Sequence, residues 1–287
     1  MKTSIPLQAP TGIGLVGFPL DRNSSFLRGA ANGPPLIREA LFSDSINRWT
    51  ENCFDLSNPA LLRDLGDIPD MDKLKGFKAI ERTIRDMLDQ GLVPVSLGGD
   101  HSVTYPIVRA LHAAVSEFCI LHFDAHPDLY DEFQNNPLSH ACPFARIMEE
   151  KLTETLVQVG IRTLNGHQKE QAEKFGVTVI QMKDWRPGQG FEFKIPLYIS
   201  VDVDVLDPAF APGVSHHEPG GFSSRQLIEM IQNIRAPLII GADVVEFNPL
   251  RDLSGITAMA CAKIVKELAG KIVEINRLDP VKDTSRV

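Results

Sequence analysis

Residues 197–208 read LYISVDVDVLDP, an apolar run (Leu197, Tyr198, Ile199, Val201) that turns acidic at Asp202, Asp204 and Asp207. A strand buried on both faces would continue with Val or Ile at those positions. Successive strand side chains point to opposite faces, so Asp202 and Asp204 share one face about 7 Å apart. Two unpaired carboxylates at the end of a buried strand repel each other and cost several kcal/mol in desolvation. The pattern therefore calls for a cation between them.

The same arrangement recurs along the chain. LVPVSL runs into Gly98-Gly99-Asp100-His101-Ser102, CILHF into Asp124-Ala125-His126-Pro127-Asp128, and IIGADVV into Glu246-Phe247-Asn248-Pro249. The potential ligands are His101, His126, Asp124, Asp128, Asp202 and Asp204, more side chains than one catalytic metal takes from protein. Shared between two divalent ions about 3.5–4 Å apart, with one or two bridging carboxylates, they give each ion a shell with open positions. Four carboxylates also balance four positive charges and leave room for a bridging hydroxide. The oxygen-rich set with imidazole suits Mn²⁺ better than a thiolate-selecting metal, while Zn²⁺, Co²⁺ and Ni²⁺ remain compatible.

Such groups need a frame. Apolar periods predict strands over 13–18, 92–97, 119–123, 156–161, 177–180, 197–201, 238–245 and 272–275. Helical spacing covers 36–42, 74–90, 105–115, 144–150, 168–175, 224–234 and 255–268, and 43–71 shows no clean period. Strands alternating with amphipathic helices imply right-handed crossovers and a mostly parallel sheet covered on both sides: a three-layer α/β/α fold. No low-complexity linker or repeat divides it, so 1–287 reads as a single domain. Ligands in such sheets bind beyond the carboxyl ends of the strands, where these polar clusters fall.

A net charge of −8 and no basic run argue against nucleic acid, and no stretch reaches the roughly 20 apolar residues a bilayer requires. The N-terminus lacks the apolar core of a signal peptide. Cys53, Cys119, Cys142 and Cys261 are scattered and read as reduced thiols, which points to the cytoplasm.

LGGDHS at 97–102, HFDAHPD at 122–128 and SVDVDVLDPAFAPG at 200–213 resemble the three signature segments of the ureohydrolases, the arginase and agmatinase family. NSSFLRGAANGPP, DLYDEF, SHACPFARIM, PGVSHHEPGG and GADVVEFNP are most similar to the branch containing plant-type arginases. The resemblance implies two Mn²⁺ per chain, one held by His101, Asp124, Asp128 and Asp202, the other by Asp124, His126, Asp202 and Asp204. It implies that His140 relays protons at the scissile bond, that Glu246 pairs with the guanidinium, and that Asp128 belongs to the catalytic group too. His122 and Asp243 are expected beside the ligands as their partners, and Asp100 and Asp207 as acceptors that fix loops.

The implied reaction is hydrolysis of L-arginine to L-ornithine and urea by attack of a metal-bridging hydroxide. Agmatine, 4-guanidinobutyrate or guanidine is the alternative small guanidino substrate. Asp131, Asn136 and His217 are expected to read the substrate tail, with Asn135 and His216 in the same loops. His217 departs from the branch, where an aliphatic residue is expected. A homo-oligomer, trimer or hexamer, is implied by the resemblance alone. The competing reading is a metal-binding scaffold that has lost turnover; it predicts gaps in the constellation, and every position is occupied.

Overall fold

The computed structural model describes residues 10–71 and 76–278. In chain order these form β1 (Gly12–Phe18), α1 (Gly33–Phe42), β2 (Leu62–Asp67), α2 (Gly76–Asp89), β3 (Leu92–Gly98) and α3 (Thr104–Ala114). Then follow β4 (Cys119–Phe123), α4 (Pro143–Glu149), β5 (Thr155–Ile161), α5 (Gly166–Phe175), β6 (Thr178–Gln181) and β7 (Phe191–Glu192). The chain ends with β8 (Leu197–Asp202), α6 (Ser224–Gln232), β9 (Ile234–Arg235), β10 (Ile239–Val245) and α7 (Ile256–Asn276).

Eight strands form one sheet in the order β2-β1-β3-β10-β8-β4-β5-β6. Every pairing in it is parallel, which goes further than the mostly parallel sheet expected. Alternation along the strands feeds two apolar clusters. Leu15, Val95, Leu121 and Ile199 meet Ile37 of α1, Leu227 of α6 and Leu268 of α7 on one face. Val16, Ile120 and Tyr198 meet Ile84 of α2, Leu111 of α3 and Phe144 of α4 on the other. These are the three α/β/α layers.

Besides the two-residue strands β7 and β9, two longer elements differ from the sequence expectation. β2 lies inside the stretch expected to be irregular; only Leu62 of its six residues is buried, so it carries no apolar period and owes its form to pairing with β1. The strand expected at 272–275 is the last turn of α7, where Ile272 and Val273 continue the buried stripe of Val265, Leu268 and Ala269. A four-residue apolar run does not distinguish a buried strand from a buried helix end. The first two residues of the helix expected at 74–90 lie outside the described residues.

The topology fixes the site. β3 and β4 are laid down early with a gap between them, and β10 and β8 fill it later. The four strands that carry the acidic and imidazole segments are therefore adjacent at the centre of the sheet. The turn after β3 is docked on the segment after β1: Gly99 N donates to Phe18 O at 3.1 Å and Asp100 N to Leu20 O at 2.7 Å. A Cβ on Gly99 would stand 2.0 Å from Leu20 O, a backbone atom that cannot step aside. Gly99→Ala should cost about 1–3 kcal/mol of stability, read as a lowered Tm; an unchanged melting curve would show that this turn has slack.

Candidate active site

His101 opens a 3₁₀ turn after β3, Asp124 follows β4, Asp202 is the last residue of β8, and Glu246 follows β10. The Nδ1 atom of His101 faces Asp128 Oδ2 and Asp202 Oδ2 at 3.1 Å and Asp124 Oδ2 at 3.3 Å. All four side chains are buried. Burial alone would lower the His101 pKa, but the bonds to Asp124, Asp128 and Asp202 reverse that and raise it. Burial, then the charges of Asp204 and Asp124, pushes the Asp202 carboxyl far above the usual range. Asp204 is raised by burial too, with His126 opposing. These acids resist ionising together unless a cation joins them.

Hydrogen bonds fix which nitrogen of each imidazole faces the cluster. Ser200 Oγ donates to Asp243 Oδ1 at 2.7 Å, so it accepts from His101 Nε2 at 3.0 Å. That keeps a proton on Nε2 and aims Nδ1 at the carboxylates, where a cation between them would take its lone pair. Asp243, fully buried, also accepts from Tyr198 at 2.6 Å and Thr104 at 2.7 Å. His122 is the opposite case. Gln158 Nε2 donates to Pro127 O at 2.6 Å and to His122 Nδ1 at 3.1 Å, which leaves the proton on Nε2 aimed at Asp124 Oδ2, 2.8 Å away. Burial keeps His122 neutral by lowering its pKa. Although its ring lies close enough to Asp124 and His101 to share an ion with them, His122 orients Asp124 and offers no lone pair.

The second group lies alongside. His126 Nδ1 stands 2.9 Å from Asp204 Oδ2 and 3.5 Å from Asp124 Oδ1. Asp204 Oδ1 accepts from Ala125 N at 3.1 Å, and Asp202 Oδ1 from Asp204 N at 2.9 Å. Behind it the Arg162 guanidinium donates to the carbonyls of Gly160, Asp204, Val205, Leu206 and Glu218, fastening this turn to the 215–218 loop. Two imidazoles, that of His101 anchored through Nε2, and four carboxylates, with no thiolate, fit hard divalent ions.

A cavity of about 670 Å³, counting its open mouth, reaches both groups; His126, Asp128, Asp202 and Asp204 line its floor, and His140 and Glu246 one wall. Glu246 Oε1 accepts from His140 Nδ1 and from His101 N, each at 2.8 Å. Burial would raise Glu246, but the His140 charge and these bonds hold its carboxyl below the usual range. Asp128 and Glu246 both sit in the left-handed backbone region, at φ 50° and 66°. Such strain costs of order 1–3 kcal/mol per residue and persists where surrounding contacts enforce it.

The outer wall departs from expectation. His217 is exposed and bonds Pro212 O at 2.8 Å, whereas His216 turns into the cavity. Asp131 stands outside the lining, exposed and paired with His167 at 3.0 Å. Asn136 is a loop staple: its Oδ1 accepts from Leu138 N at 3.0 Å and its Nδ2 reaches Asn23 at 3.4 Å. The structure places these three away from the cavity lining: adjacent loop residues point to opposite sides, and spacing does not say which. Ser25, Tyr130, Phe133, Gln168, His216 and Glu218 form the outer lining in their place. Gln158 was also missed, although a polar residue inside the buried run LVQVGI was a signal.

A model described as the arginase family matches residues 11–270. The Arabidopsis thaliana protein named "Arginase 1, mitochondrial" is 46% identical over 286 residues, covering 92% of this chain and 82% of its own length. "Arginase 2, chloroplastic/mitochondrial" of the same plant is 44% identical over 277 residues, covering 90% and 80%. The solved arginase from Medicago truncatula superposes with a TM-score of 0.84 at 41% identity, covering 92% of this chain and 88% of that one. These names overturn the cytoplasmic location read from the cysteines, since the similar plant proteins are organellar.

Ser200→Ala removes the anchor of His101 Nε2 and frees the ring to change tautomer. Metal affinity should fall about 10–100-fold, measured by titration of the metal-stripped protein. Unchanged affinity would show that the ring is held by its packing alone.

Proposed function

Because the chain belongs to the arginase family, we propose that it hydrolyses L-arginine to L-ornithine and urea. The enzyme is a metal-dependent amidinohydrolase acting on a small guanidino substrate. The observation that carries the reading is one cavity in which a buried His/Asp cluster meets the His140–Glu246 pair.

Two Mn²⁺ fit this reading. His101, Asp124, Asp128 and Asp202 would hold one, and Asp124, His126, Asp202 and Asp204 the other. The support is the crowding of oxygens around the two imidazole Nδ1 atoms and the exclusion of His122 by its own proton. When bound, such ions supply an acidified water and stabilise negative charge developing on the substrate.

The chain's own groups do the rest. Both hydrogen bonds to Glu246 land on Oε1, which leaves Oε2 for a guanidinium. No Lys or Arg lines the cavity among the described residues, so the acids there favour a cationic head group. Burial alone would lower the His140 pKa, but the Glu246 charge raises it to about 9. His140 therefore carries a proton near neutral pH, which the departing amine requires. Tyr130, Gln168, His216 and Glu218 are placed to meet the polar tail that separates arginine from agmatine, 4-guanidinobutyrate and guanidine.

We read 1–287 as a single domain and the assembly as a homo-oligomer, trimer or hexamer; exposed Leu250 and Leu253 in the segment before α7, and Ile256 at its start, offer apolar surface for it.

Two variants test the assignment. Asp202→Ala should lose metal and activity together, whereas Glu246→Ala should keep its metal and lose turnover about 10²-fold or more. Two ions still bound in Asp202→Ala would refute its bridging role. Urea release should be fastest from L-arginine; preference for another guanidino compound would overturn the tail reading and leave the metal chemistry standing.

A further inference from the structure

His140 is held at both nitrogens. Its Nδ1 donates to Glu246, and its Nε2 lies 2.8 Å from Ser25 Oγ and 3.1 Å from Ser25 N. Ser25 belongs to the loop between β1 and α1, and it lines the cavity. That loop is tied down on three sides. Asn23 N donates to Asp100 Oδ2 at 2.9 Å, Asn23 O accepts from His140 N at 3.1 Å, and Leu27 O accepts from Asn248 Nδ2 at 2.8 Å. Asp21 closes its far end by accepting from Gly29 N at 2.8 Å. The hydroxyl is thus positioned by segments that follow β3, β4 and β10.

The two Ser25 groups serve different states of the ring. A neutral His140 has a lone pair on Nε2, which the Ser25 N–H can fill. A protonated His140 has N–H on Nε2, and a backbone N–H offers it nothing. Only Oγ can accept it. Since Nδ1 faces Glu246 in both states, the proton that His140 gives up must leave through Nε2.

We propose that the Ser25 hydroxyl relays this proton from His140 Nε2 to the leaving amine in the cavity. The proposal rests on the hydrolytic reading above. The Nε2–H bond breaks as Oγ takes that proton, and the original hydroxyl proton passes to the amine nitrogen. The carbon–nitrogen bond breaks with its electron pair on the amine. Imidazole, an intact serine and the neutral free amine remain, so nothing is consumed beyond the proton.

Ser25→Ala isolates the hydroxyl, because the backbone N–H stays. Its kcat on L-arginine should fall at least about tenfold with KM and metal content little changed, and Ser25→Thr should restore most of the loss. L-canavanine leaves as an alkoxyamine, a much weaker base that needs less protonation, so the Ala defect should be several-fold smaller on it. Wild-type kcat in Ser25→Ala, or an equal defect on both substrates, would overturn the relay. A wild-type enzyme silent on every guanidino compound would instead overturn the function on which the relay rests. Should Ser25→Ala fail to fold, the wild-type rate in mixed H₂O and D₂O decides: a curved dependence on deuterium fraction marks two protons moving together, and a linear or flat one contradicts the relay.

Discussion

Three carboxylates close on the Nδ1 atom of one buried imidazole where the central strands end, at 3.1–3.3 Å. Like charges so placed do not hold together without a counter-charge, and each desolvated ion costs several kcal/mol. A cation relieves this, and much of the surrounding architecture serves to keep the oxygens waiting for it. The late insertion of β8 and β10 between β3 and β4 supplies two of the four sides. Arg162, spread over five carbonyls, clamps the turn that carries Asp204.

One layer further out, uncharged donors do the orienting. Asp243 is a fully buried carboxylate made tolerable by the hydroxyls of Tyr198, Ser200 and Thr104, and through Ser200 it sets the tautomer of His101. Gln158 does the same for His122, with the opposite outcome: one imidazole presents a lone pair to the site, the other a proton to Asp124. Glu246 joins the two halves of the chemistry. Its Oε1 binds the backbone of His101 and the ring of His140, so metal floor and proton wall share one rigid contact.

The central chemistry was legible because burial leaves its mark on a strand. Acids at Asp202 and Asp204 interrupt an apolar run, and parallel-sheet topology sends such interruptions to one rim. What lay outside periodic elements was not legible. His216 and His217 are neighbours of one type, and only the folded loop turns the first inward and the second to Pro212. Ser25 meets His140 across 115 positions in the chain, a contact that no local pattern announces. β2 was missed because its form comes from its neighbour, and the end of α7 was misread because a short apolar run suits either buried element. The cysteine reading of location failed for a different reason: reduced thiols do not specify a compartment, and the similar plant proteins are organellar.

The most direct test of the central claim is anomalous diffraction from a Mn²⁺-loaded crystal, with data collected on both sides of the manganese edge. The account predicts two peaks, one against His101 Nδ1, Asp124, Asp128 and Asp202, the other against Asp124, His126 Nδ1, Asp202 and Asp204, with His122 still donating to Asp124. A single peak, or a peak ligated by His122, would contradict it.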